Sequence, residues 1–154
     1  MSRTTRKRTA PSAQPKPARA TRVVGRTATA GFEAGARRTL ELAPETLWRL
    51  VTSAEGQRRL GSKAEPLRPD SPGVTTFVEG SHYRRQVSAL QRRHSTLQVR
   101  VLTATGGRST LALHREQLSN AAEREEVLKA LRLALQGFSP PPHERSTTTA
   151  HTRT

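Results

Sequence analysis

The chain has 154 residues, a net charge of +15 and no cysteine. The last point excludes disulfides, thiolate metal sites and a cysteine nucleophile. No apolar run approaches the ~18 residues that span a bilayer, and no apolar segment follows the basic stretch Ser2–Arg8 as a secretory signal requires. A soluble, cytoplasmic protein with no membrane partner is expected.

Residues 1–30 carry eight basic side chains and no acidic one. They are rich in Thr, Ala, Pro and Ser and hold almost no large apolar residue, so they are expected to form a disordered basic arm. Residues 31–138 hold seventeen basic and eleven acidic side chains and are expected to form one folded domain. Ser139-Pro140-Pro141-Pro142 stops it, and residues 139–154 read as a second disordered tail. Counterion release draws a basic arm to polyanions. Nucleic acid is therefore one candidate partner, through Arg3, Arg6, Lys7 and Arg8. The arm has no aromatics for base stacking and no dense Lys/Arg block, so it also reads as a solubilising leader.

Within the domain, Arg38-Thr39-Leu40-Glu41-Leu42 alternates as a strand does, with Leu40 and Leu42 inward. Ala43-Pro44-Glu45 opens a helix, with Pro in the first turn and an acid at the positive end of the dipole. Leu47, Trp48, Leu50 and Val51 form its apolar stripe. A second short helix is predicted near Glu55–Leu60, ending at Gly61, and Ser62–Gly73 reads as a loop. Four strands follow, over Val74–Glu79, His82–Leu90, Ser95–Ala104 and Ser109–Arg115. Leu97, Val99, Val101 and Thr103 share one face of the third. Thr105-Gly106-Gly107 joins the last two as a hairpin, because glycine tolerates positive φ. Asn120 and Glu123 then form an N-cap and capping box for a helix over Ala121–Gln136. Its buried stripe is Val127, Leu128, Leu131, Ala134, Leu135 and Phe138, with Gly137 as the stop. Glu123, Arg124, Glu125, Glu126, Lys129 and Arg132 are expected to face water. Each large side chain of such a stripe contributes about 1.5–3 kcal/mol when buried, before entropy is subtracted. The order predicts an α+β fold: a curved antiparallel sheet wrapped around a long C-terminal helix.

Two stretches resemble the START-like helix-grip superfamily (SRPBCC), in the branch named after the activator of the heat-shock-protein-90 ATPase. One is Arg38–Trp48 with Thr52-Ser53-Ala54-Glu55-Gly56 and Arg59-Leu60-Gly61. The other is Ser109–Leu118 with Ala121–Glu125, which is similar to that branch's last strand and the start of its long helix. The chain departs from the pattern at Gln57, where an apolar residue is usual. It also lacks a Trp near Arg59-Leu60 and is short between Gly61 and His82. The resemblance implies a groove between sheet and long helix that often binds an apolar ligand. It nominates Trp48, Phe77, Tyr83, Val99, Val101, Leu111, Leu131 and Leu135 as lining residues, each of which also reads as plain core. Arg84 and Arg85 point to opposite faces of their strand, so one turns inward. If buried, that one needs a partner, which Glu79 or Glu116 could supply. The functional reading is a carboxylate or phosphate clamp in the groove, the other a solvated basic surface, and Arg85 is counted with the groove residues.

The five histidines show no zinc-binding spacing, and His114 falls on the outer phase of its strand. There is no paired carboxylate, nucleophile elbow or phosphate loop. No metal, cofactor or catalytic residue is therefore expected. The leading expectation is a non-enzymatic module that holds a small apolar ligand or presents a surface to a partner protein. A nucleic-acid-associated role is one alternative. A co-chaperone-like role on a heat-shock ATPase is another, resting on the resemblance alone. Nothing in the residues specifies an oligomeric state.

Overall fold

The computed structural model describes residues 26–27, 31–88 and 94–138. The remainder of the expected arm and the tail at 139–154 lie outside the described residues. The elements are β1 (Arg26–Thr27), β2 (Gly31–Leu40), α1 (Pro44–Thr52), α2 (Ala54–Arg59), β3 (Val74–Val78), β4 (His82–Ser88), β5 (His94–Thr103), β6 (Ser109–Leu118) and α3 (Ala121–Gln136). All six strands join one antiparallel sheet in the order β1-β2-β6-β5-β4-β3. The α+β fold is the expected one. One face of the curved sheet is covered by α3, over β2 and β6, and by the α1–α2 pair, which reaches toward β5 and β6.

Alternation along the strands selects the inner face. Tyr83 on β4, Val99 on β5 and Leu113 on β6 stand opposite one another. So do Val101 and Leu111 on the next inward row. Helix α1 buries Leu47, Trp48 and Val51 against them. The Trp48 ring meets Phe77 and Tyr83 edge-on, with centroids 5.5 and 6.3 Å apart. Its indole nitrogen, Nε1, donates to Glu79 Oε1 at 2.7 Å.

The capping box of α3 forms as read. Asn120 Oδ1 accepts from the Glu123 backbone N–H at 2.8 Å, and the Glu123 carboxylate accepts from the Ser119 N–H. Leu131, Leu135 and Phe138 are buried from this helix and its exit. Ser109–Leu118 and Thr103 meet across the tight Thr105–Gly107 turn, where Gly106 and Gly107 both have φ near +70° (70 and 71). Side chains with a Cβ rarely adopt that region, so the glycine pair sets the hairpin.

Four readings need correction. The first long strand begins at Gly31, not Arg38, and ends at Leu40. Its early residues, Gly31, Ala34, Gly35 and Ala36, are too small to show an alternating pattern; pairing with β6 makes the strand. Thr103, placed with the inward row, is exposed at the strand end. Arg124, expected in water, is largely covered, and its Nε donates to the carbonyl of Glu33 on β2. Gly137 has φ −64°, so α3 does not end through a left-handed glycine. Instead the Phe138 N–H turns back to Leu135 O, which seats the Phe138 ring in the core.

Strand β6 also runs past Arg115 through a bulge. Phe32 pairs with Leu118 but Ala34 with Arg115, and Gln117 adopts φ +64°. The extra residue shifts the phase, so Leu118 points inward and is buried.

Candidate functional site

Two polar features of the inner face grow out of one row across the sheet. Arg85 on β4 stands opposite Leu97 on β5, and Leu97 stands opposite Arg115 on β6. With strands ~4.8 Å apart, the two arginines flank Leu97 at roughly 10 Å.

On the β4 side, Gln57 of α2 is 1% exposed. Its Nε2 donates to Val51 O at 2.7 Å and to the Tyr83 hydroxyl at 3.0 Å, and its Oε1 accepts from Arg85 Nη1 at 2.9 Å. Gln57 is therefore the hub that partners a helix carbonyl, a buried phenol and one nitrogen of an inward guanidinium. Arg84 points outward and pairs with Glu116, while Glu79 is taken by Trp48. Neither carboxylate reaches the inward arginine, and Arg85 Nε is buried without a hydrogen-bond partner.

Burial pushes the Tyr83 phenol up to about 12, against the opposing pull of the Gln57 hydrogen bond and the Arg85 charge. The unfolded chain loses this proton near pH 10. Between the two values the folded state alone retains it, so the stability it brings is intact below pH 10. That stability is lost as pH rises through about 12, a change of roughly 3 kcal/mol. Tyr83 is the sole tyrosine. Ultraviolet absorbance should show no tyrosinate in the folded protein at pH 10.5; a half-ionised phenol there would contradict this burial.

On the β6 side lies a pocket of about 330 Å3. Its floor is Leu97 and Arg115. One wall is the end of α2, Arg59-Leu60-Gly61; the other is α3, with Val127, Leu131 and Ala134 inward and Ala130, Leu133 and Gly137 around the opening. Leu133 is 70% exposed, so the rim is itself apolar. The two walls are tied at one corner by Arg59. It pairs with Glu55, donates to Gly137 O and stacks over the Phe138 ring at 5.6 Å. Arg58 and Arg59 hold the Glu55 carboxyl well down, to about 2.

Arg115 is half-buried. Its Nε and Nη2 both donate to the Ser95 hydroxyl, at 3.1 and 2.7 Å. Burial pulls its guanidinium below the usual value, and the charge of Glu123 opposes this at longer range.

Of the nine groove candidates, Leu131 lines the pocket. Trp48, Tyr83, Val99, Val101 and Leu111 pack together under α1, with Phe77 at their edge, and Leu135 packs under α3. Arg85 lies one strand away from the pocket floor. Arg3, Arg6, Lys7 and Arg8 lie outside the described residues. Leu97, Arg115, Val127 and Ala134 join Leu131 on the pocket's floor and inner wall. Arg115 carried a readable signal, since it shares the inward phase of Leu111 and Leu113.

No family model matches this chain, and no curated protein does. Solved structures do. The Aha1 dimer from Colwellia psychrerythraea, solved in solution, aligns with a TM-score of 0.53 at 10% identity over 68% of this chain and 91% of that one. CalU16 from Micromonospora echinospora aligns at 0.56 with 14% identity, over 69% and 72%. The chain has the START-like helix-grip fold. Ms6760 from Mycobacterium smegmatis shares it at a TM-score of 0.50 and 10% identity, over 72% of this chain and 93% of that one. The resemblance seen in residues 38–61 and 109–125 thus holds in three dimensions, at the level of fold. Among the described residues no helix is long and apolar enough to cross a membrane.

Proposed function

We propose that this helix-grip domain is a non-enzymatic binding module that holds a small, largely apolar ligand between α3 and the sheet. The observation that carries the reading is the pocket of about 330 Å3 walled by Leu60, Leu97, Val127, Leu131 and Ala134. Its size is at the small end of the ~300–1,000 Å3 usual for ligand sites, and its lining of apolar side chains with a few polar groups is the usual one. The helix-grip resemblance implies a groove between sheet and long helix that often binds an apolar ligand, and this pocket lies between those elements. The pocket differs from the groove first expected: it sits at the α2–α3 cleft rather than under the aromatic cluster.

Octanol is a suitable neutral probe. At a hundredfold excess over Kd, a single site stabilises the fold by about 2.7 kcal/mol, which is several degrees in Tm for a domain of this size. Leu131→Trp, or Val127→Trp as an independent variant, should fill the pocket and abolish the shift. An equal shift in the parent and in both folded variants would place the alcohol elsewhere and defeat the reading.

A further inference from the structure

We propose that the ligand is a small organic acid with an apolar body, its carboxylate held by Arg115 on the pocket floor; this rests on the ligand-binding reading above. Arginine forks match the two oxygens of a carboxylate. Elsewhere they find them: Arg84 takes Glu116 on the outer face, and Arg58 and Arg59 share Glu55 at the end of α2. On the inner face they do not. The Nε and Nη2 of Arg115 converge on one neutral hydroxyl, that of Ser95, which is itself 1% exposed. Among the described residues no carboxylate lies within ion-pair distance of Arg115 or Arg85. Glu123 acts on Arg115 only through space, because its carboxylate accepts from the Ser119 N–H at 2.6 Å.

The floor therefore carries one cation, Arg115, with no paired anion among the described residues, in a place where water is partly excluded and charge attraction is strengthened; Arg85 lies one strand away. The rest of the lining is apolar apart from Arg59, whose charge is paired with Glu55. An occupant that satisfies both halves has a carboxylate at one end and a hydrocarbon body against Leu97, Val127 and Leu131. At ~30 Å3 for a water-sized group, the volume admits about ten non-hydrogen atoms. Octanoate has that size, with its head on Arg115 and its chain toward the apolar rim at Leu133.

The test is calorimetric titration of the full chain with octanoate, octanol, octylamine and acetate. Octanoate should bind at least tenfold tighter than octanol, octylammonium weaker than octanol, and acetate without detectable heat of saturation. Arg115→Gln should bring octanoate to the level of octanol and leave octanol within about twofold. Ser95→Ala, which frees the fork, should tighten octanoate several-fold; this variant serves if Arg115→Gln does not fold. Octanol equal to octanoate on the parent chain, or a preference that survives Arg115→Gln, overturns the acid assignment while the pocket stands. No gain for Ser95→Ala overturns it where Arg115→Gln is unfolded. Binding of neither probe removes the pocket reading itself, and the acid with it.

Discussion

Replacing Gln57 with leucine should destabilise the domain by about 3 kcal/mol, even though leucine is the more apolar residue at a buried position. The glutamine side chain is buried and makes three hydrogen bonds, to Val51 O, the Tyr83 hydroxyl and Arg85 Nη1. Leucine adds apolar contact but leaves a carbonyl and a phenol without these partners. It also leaves a guanidinium that already has one unpartnered nitrogen. Each uncompensated buried polar group costs ~1–3 kcal/mol, and the half-buried Arg85 loses its side-chain acceptor as well. The pair Gln57→Leu with Arg85→Met removes the charge as well as its acceptor, and should recover at least half of the loss. Denaturant unfolding of the two variants decides the matter. A Gln57→Leu protein as stable as the parent would show that the polar hub contributes nothing; a double variant no better than the single one would show that Arg85 is not the group left stranded.

Gly56→Ala should be comparably damaging, at about 3 kcal/mol, and here the sign alone is informative. Gly56 lies in α2, where helix propensity favours alanine over glycine by ~1 kcal/mol. Its φ is not in the left-handed region, so backbone freedom does not explain the glycine. The reason is proximity. A Cβ at this position would collide with the carbonyl of Leu50 and stand 2.8 Å from Val51 Cα, both backbone atoms of α1. No rotamer change relieves such a clash, and overpacking at a tight contact typically costs ~1–3 kcal/mol before lost propensity gains are counted. The α1–α2 corner would open and carry Gln57 away from Tyr83. A stabilised Gly56→Ala protein, measured by the same unfolding experiment, would mean that the two helices do not approach this closely.

Much of this architecture was readable where local signals and packing agree. Asn120, Glu123 and the Leu131–Leu135 stripe all point to one helix with one buried face, and the helix is there. The strand alternation at Leu97, Val99 and Val101 likewise matches the inner face. Signals faded where tertiary contact alone decides. Gly31–Arg37 has too little side-chain contrast to announce a strand, and only its pairing with β6 makes one. The bulge at Gln117 reverses the phase before Leu118, so simple alternation ends too soon.

The candidate site was harder to read than the fold, for a physical reason. Large aromatic side chains attract notice as ligand contacts, yet in a small domain they are the first to be used for packing. Trp48, Phe77 and Tyr83 fill space against one another. The pocket forms instead where side chains run short, between the end of α2 and the Val127–Ala134 turns of α3. Gln57 appeared in the sequence only as a departure from a pattern, and its burial with Arg85 gives that departure a cause.

The most direct measurement is intermolecular NOE spectroscopy of the full chain saturated with octanol. Contacts from the alcohol chain to the methyl groups of Leu97, Val127 and Leu131 are the predicted result. Contacts confined to the exposed Leu102 and Leu133 methyls, with none to Leu97, would contradict a ligand site between α3 and the sheet.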